Sequence, residues 1–156
     1  MVSFKLNGSL VDLPGVDPNK SLLKVLRDDL GVISVKRGCD IGVCGVCTIL
    51  VDGRPKRSCL LKLKNVEGKE ITTVEGIGTP NKLHPIQKAF IDYGAIQCGF
   101  CTPAMILTAY ALLKKNPNPT RKDIQKAINP VLCRCTGYIP IIEAIEAVAK
   151  GKYGPV

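Results

Sequence analysis

Gly38-Cys39-Asp40-Ile41-Gly42-Val43-Cys44-Gly45-Val46-Cys47 places three cysteines within one short loop, spaced C-x4-C-x2-C and interleaved with three glycines. Three thiols converge on one compact inorganic centre only if the loop folds back on itself. Gly38, Gly42 and Gly45 are expected to permit positive φ there and to leave bare N–H groups pointing at sulfur. A fourth cysteine, Cys59, follows after eleven intervening residues. Thr48-Ile49-Leu50-Val51, the turn Asp52-Gly53 and the run Pro55 to Leu61 read as a hairpin that delivers Cys59 from a strand. Upstream, Ser3 to Leu6, Asn7-Gly8 and Ser9 to Leu13 form another hairpin. One amphipathic helix, Ser21 to Leu30, stops at Gly31. With Glu70-Ile71-Thr72-Thr73-Val74 as a further strand, this half predicts a small mixed sheet packed on one helix.

After Gly76-Ile77-Gly78-Thr79-Pro80-Asn81 the pattern turns helical. Apolar residues recur at three- and four-residue steps from His84-Pro85 to Ile91 and from Thr102 to Lys115. Thr120-Arg121-Lys122-Asp123 opens a third helix with a capping box. Ile139 to Lys150 makes a fourth, with Ile141, Ile142, Ile145 and Val148 on its apolar side. The expected division is therefore 1–76 and 77–156, the second unit being a four-helix bundle. Four more cysteines sit at its joints: Cys98 and Cys101 as C-x2-C, Cys133 and Cys135 as C-x-C. Each half has fewer than about 85 residues, a size at which a metal site commonly supplements the core.

The first spacing is that of plant-type ferredoxins, whose four thiolates hold a [2Fe–2S] cluster. With one His among 156 residues, Cys2His2 zinc and Rieske sites are excluded. Structural zinc usually pairs two C-x2-C hooks, which the glycine-broken four-residue gap does not match. The second set is less specific, since its spacing alone suits zinc, an iron–sulfur cluster or a redox dithiol. Met1 to Gly8 lacks the basic, apolar, small-residue order of a secretory leader, so a cytoplasmic location and free thiols are expected. The longest apolar run, Pro103 to Leu113, is about half of the roughly 20 residues a spanning helix needs, so no membrane association is expected.

Twenty-two Lys and Arg against 13 Asp and Glu leave a formal charge of +9. The cations are scattered, and only Arg54-Lys56-Arg57 and Lys62-Lys64 approach patches. Aromatics are 4% of the chain and Trp is absent, so no stacking row supports nucleic-acid binding. Two oxidised clusters with eight thiolates would lower the charge to roughly +5.

The two-part layout resembles the iron–sulfur subunit of the molybdenum hydroxylases, the xanthine oxidase and aldehyde oxidoreductase family, and most of all the iron–sulfur portion of the aldehyde oxidoreductases. The resemblance covers nearly the whole chain. It is carried by Gly38-Cys39 to Cys47-Thr48, Ile71 to Gly76, Leu83-His84-Pro85, Gln97-Cys98-Gly99-Phe100-Cys101-Thr102-Pro103 and Cys133-Arg134-Cys135-Thr136-Gly137-Tyr138. Val46 in place of the usual Ala, Ala104 where Gly often follows Pro, and Asn129-Pro130-Val131 depart from the pattern.

The resemblance implies an α+β fold: an N-terminal plant-type ferredoxin-like β-grasp domain followed by the helical bundle. It implies one [2Fe–2S] cluster on Cys39, Cys44, Cys47 and Cys59, and another on Cys98, Cys101, Cys133 and Cys135. The second would lie beside the molybdopterin cofactor of a large catalytic subunit, with Gln97 and Cys135 contacting the pterin, and would be the more buried. Electrons would pass from there to the first cluster and on to FAD in a medium subunit or to an external acceptor. The assembly would be a hetero-oligomer, up to a dimer of heterotrimers. No catalytic residue is expected in this chain. His84 reads as a helix cap, Arg134 as a counter-charge, and Gln97 alternatively as a helix-end cap. A free-standing two-cluster ferredoxin is the competing function, and a zinc module binding nucleic acid the third.

Overall fold

A computed structural model describes residues 1–156. The first half holds β1 (Val2–Leu6), β2 (Ser9–Leu13), α1 (Leu22–Lys24), β3 (Thr48–Val51), β4 (Arg54–Arg57) and β5 (Glu70–Thr72). The second holds α2 (Pro85–Asp92), α3 (Thr102–Lys115), α4 (Arg121–Ile128) and α5 (Ile139–Ala149). One five-stranded sheet runs β2-β1-β5-β3-β4. β1 and β5 pair in parallel, and the other pairings are antiparallel. Asn7 and Asp52 take left-handed φ of 51° and 49° ahead of Gly8 and Gly53, which is what the two-residue turns of both hairpins require.

Two expectations for this half need correction. The helix over Ser21–Leu30 is α-helical only at α1 and then widens into a π turn over Val25–Asp29, with the Leu30 N–H reaching the Val25 carbonyl at 3.0 Å. The wider turn lets Leu22, Leu23, Val25 and Leu26 all face inward, each buried. Cys59 does not arrive on a strand. β4 ends at Arg57, and Cys59 sits in a 3-10 turn, Ser58–Leu60. Fully buried Ser58 makes that turn by donating both N–H (3.3 Å) and Oγ–H (2.8 Å) to the Cys47 carbonyl.

The apolar interior falls into two clusters. Phe4, Leu23, Leu26, Ile49, Leu63 and Ile71 lead the one beneath the sheet. Ile86, Phe90, Met105, Ile124, Ile141 and Ile145 lead the one inside the helices. β3 is buried at all four positions because both layers cover it: Ile49 and Val51 point into the first core, and α3 packs on the opposite face. Val46 belongs to the helical core although it comes from the cysteine loop. Burying such a side chain stabilises by about 1.5–3 kcal/mol, and here it fastens the loop to the bundle.

The helix starts follow the sequence. Thr120 caps α4 in a capping box, its Oγ accepting from the Asp123 N–H at 3.2 Å while Asp123 accepts from the Thr120 N–H at 2.8 Å. His84 caps α2 through Nδ1, which accepts from the Ile86 N–H at 3.2 Å, and Pro85 fills the first helical position. α4 ends at Ile128, with Asn129 as its C-cap, so the unusual Asn129-Pro130-Val131 forms the exit rather than a longer helix. No helix is long and apolar enough to cross a membrane.

Candidate metal centres

The loop after α1 turns on Asp40 and Gly42, at φ of 57° and 76°, and on Gly45 at 73°. Gly38 is not in the left-handed region, contrary to expectation. It is required by close approach instead: a Cβ there would meet Cys44 Sγ at 2.7 Å and Val46 Cγ2 at 2.9 Å. Folded this way, the loop aims three amides at one sulfur. Cys39 Sγ accepts from the N–H groups of Val43 (3.2 Å), Cys44 (3.4 Å) and Ile41 (3.5 Å). These bonds, the Cys44 amide foremost, pull the Cys39 thiol down to about 6. Burial, with Cys47 alongside, pushes Cys59 up to about 11.

The second set sits on two joints, α2–α3 and α4–α5. Burial pushes Cys101 up to about 12, with Cys133 beside it adding to the rise. For Cys133 burial works upward, but the Thr136 hydroxyl (3.0 Å) and N–H (3.4 Å) outweigh it and the thiol ends below its ordinary value. Tyr138 orders the same turn. It holds a left-handed φ of 70° at the N-cap of α5, and its phenol oxygen accepts from the Cys133 N–H at 2.9 Å. Neither Thr136 nor Tyr138 was singled out for this role from the sequence. A Thr three residues after a cysteine is the only signal that could have raised it.

All eight cysteines are free, and the thiols influence one another most directly in pairs: Cys39 with Cys44, Cys47 with Cys59, Cys98 with Cys135, and Cys101 with Cys133. No three His, Cys, Asp or Glu side chains are arranged to hold a single metal ion. Two neighbouring pairs in each set suit a two-iron rhomb, in which each iron takes two thiolates. The two sets are also joined directly. The Leu132 N–H donates to the Cys44 carbonyl at 2.8 Å. Arg57 donates to the Gly42 carbonyl on one side and to that of Pro130 (3.3 Å) on the other.

Exposure separates the two ends. Cys47 and Cys101 are buried, whereas Cys98 and Cys135 are exposed. The helical set is thus not the more enclosed one within this chain, because Cys98 and Cys135 lie on loops at the end of the bundle, beyond reach of its core. Gln97 is exposed beside them in the bend before Cys98. It lies past the end of α2 and short of α3, so it caps neither.

Comparison with known proteins identifies the family. Residues 17–92 match the 2Fe-2S iron-sulfur cluster binding domain family, and residues 73–146 match the [2Fe-2S] binding domain family. The chain is 45% identical over 145 residues to the nicotinate dehydrogenase small FeS subunit of Eubacterium barkeri, covering 93% of this chain and 92% of that one. It belongs to the iron–sulfur subunits of the molybdenum hydroxylases. Like them it is an electron-transfer subunit carrying two [2Fe–2S] clusters and no catalytic centre. Two solved members superpose closely. The aldehyde oxidoreductase from Desulfovibrio desulfuricans has a TM-score of 0.92 at 44% identity, with 97% of this chain covered but only 17% of that one. Quinoline 2-oxidoreductase from Pseudomonas putida 86 has a TM-score of 0.89 at 43% identity, covering 96% and 93%. This iron–sulfur unit thus occurs both as a short separate chain and as a small part of a long one, on the same mixed α+β fold.

Proposed function

We propose that residues 1–76 form a plant-type ferredoxin-like β-grasp domain, and residues 77–156 a helical domain, of a two-cluster relay inside a molybdopterin-dependent hydroxylase. Cys39 with Cys44 and Cys47 with Cys59 would each bind one iron of the first cluster. Cys98 with Cys135 and Cys101 with Cys133 would do so for the second. When bound, each cluster supplies one-electron transfer. The chain's own residues hold the thiolates in pairs, turn amides onto Cys39 and the Thr136 hydroxyl onto Cys133, and link the two ligand sets through the Cys44–Leu132 hydrogen bond.

The observation that carries this reading is that linkage together with the exposed sulfurs at one end. Around Cys98 and Cys135 stand Phe100, Leu132 and Ile139, 45%, 51% and 51% exposed. Such a face suits the large molybdopterin subunit, with Gln97 and Cys135 meeting the pterin. Around Cys39 and Cys44, Ile41, Val43 and Leu60 are 72%, 61% and 60% exposed. That second face suits an FAD-binding medium subunit as acceptor, in a hetero-oligomer up to a dimer of heterotrimers in the cytoplasm. Two uncovered apolar faces speak against a free diffusible ferredoxin. The aldehyde reading rests on likeness alone, and 44% identity to an aldehyde enzyme against 45% to a nicotinate enzyme does not choose between them. Substrate choice belongs to the partner.

The test is metal analysis of the chain isolated with its native partners. About one molybdenum to four irons per copy is expected. About two irons and one zinc would overturn the assignment of the helical half, and iron without molybdenum or a large partner would favour the free ferredoxin.

A further inference from the structure

One large surface feature is used by neither cluster. A groove of about 1270 Å³ runs between β4 on one side and α3 and the end of α4 on the other. Its walls carry Arg54, Lys56 and Arg57 from the edge strand and Lys114 and Lys115 from the last turn of α3, and no Asp or Glu lines it. None of the five pairs with an Asp or Glu side chain, since those ion pairs use Lys20, Arg37 and Arg121. Arg57 is spent on the Gly42 and Pro130 carbonyls, and Lys114 also reaches the Val156 carbonyl at 2.9 Å. Arg54, Lys56 and Lys115 remain free at the rim. The floor is apolar, built from Ala111, Leu112 and Val131.

Like charges held together without counter-ions repel, so the groove favours an occupant that brings carboxylates. Its volume exceeds the 300–1,000 Å³ usual for small-ligand pockets, which points to a length of polypeptide. No aromatic side chain lines it, so it lacks the stacking platform a nucleic-acid strand would use. We infer that this groove docks an acidic segment, anchored by at least one apolar side chain, from another subunit of the hydroxylase. The inference rests on the function proposed above. The occupant would lie along the seam where the cluster loops meet, because Arg57, Leu60 and Pro130 line both groove and seam.

The test uses the assembled complex of the full chain with its native subunits. Lys56→Glu/Lys115→Glu is compared with Lys56→Gln/Lys115→Gln and with Lys5→Glu/Lys24→Glu, a reversal of equal charge on exposed residues outside the groove. Dissociation is followed by sedimentation over a dilution series at several NaCl concentrations, with iron content checked for each variant. The groove reversal is expected to weaken assembly by roughly tenfold or more, with the glutamine pair intermediate and the outside pair near wild type. Groove and outside reversals of equal effect would overturn the inference. A photo-cross-linking residue at Ala111 should label an acidic stretch of a partner subunit, and labelling only a second copy of this chain, or nucleic acid, would also overturn it. A wild-type chain that binds no molybdenum-containing subunit would instead sink the functional proposal itself.

Discussion

The Leu132 N–H and the Cys44 carbonyl meet at 2.8 Å, one hydrogen bond joining a cysteine of the first set to the residue beside Cys133 in the second. The two sets are distant in sequence, yet only that bond and the Leu132 backbone lie between Cys44 and Cys133. The approach depends on Gly45. A Cβ there would lie 2.0 Å from the Pro130 carbonyl oxygen, and the backbone at φ 73° already disfavours a side chain.

Gly45→Ala should therefore push the cluster loop off the bundle and cost about 2–4 kcal/mol. Urea unfolding of the holoprotein measures the loss, and EPR reads the magnetic coupling between the reduced clusters. Wild-type stability together with wild-type coupling would show that the seam does not need this glycine.

Arg57 holds the same seam with its guanidinium fork. Arg57→Lys keeps the charge but cannot serve two divergent carbonyls. Both Lys and Met variants should lose about 1–3 kcal/mol of stability. Only Met should also lower the reduction potential of the first cluster, because only Met removes the positive charge. Redox titration separates the cases, and equal potentials in all three proteins would count against the electrostatic part.

Cys135→Ala should leave about two irons per chain and one cluster signal in EPR, with electron delivery from the molybdenum site stopped. Unchanged turnover in that variant would sink the placement of Cys135 between the molybdenum site and the relay.

His84 gives a pH dependence of definite sign. Burial, with Lys114 nearby, depresses its pKa below the ordinary 6.5. As a cap it must keep Nδ1 unprotonated to accept from Ile86. The unfolded chain takes up the proton first, so this stabilisation is complete above about pH 6.5 and is lost as pH falls through that value towards the folded pKa. His84→Asn retains a cap without titrating and should flatten the stability profile as pH falls below about 6.5. Parallel pH profiles for variant and wild type would rule the cap out as the titrating element.

Much of this was legible along the chain because it is local. Cysteine spacing, hairpin turns, the Thr120–Asp123 box and the His84-Pro85 start depend on neighbours a few residues apart, and the structure shows each turn and helix start where its residues put it. The π turn at Val25–Asp29 and the 3-10 turn at Cys59 were not legible, since tertiary burial of Leu26 and of Ser58 decides them. Gly38 shows the same division: its identity was noticed, but its reason is a sulfur six residues away that only the folded loop brings to 2.7 Å. The sequence by itself determined which atoms are available for metal, through eight thiols and a single imidazole. Tertiary structure alone decided that the thiols meet in pairs, that Cys98 and Cys135 face outward, and that Cys44 lies against Leu132. Those relations arise from packing the sheet and the bundle against each other, and contacts of that kind leave no periodicity in the chain to read.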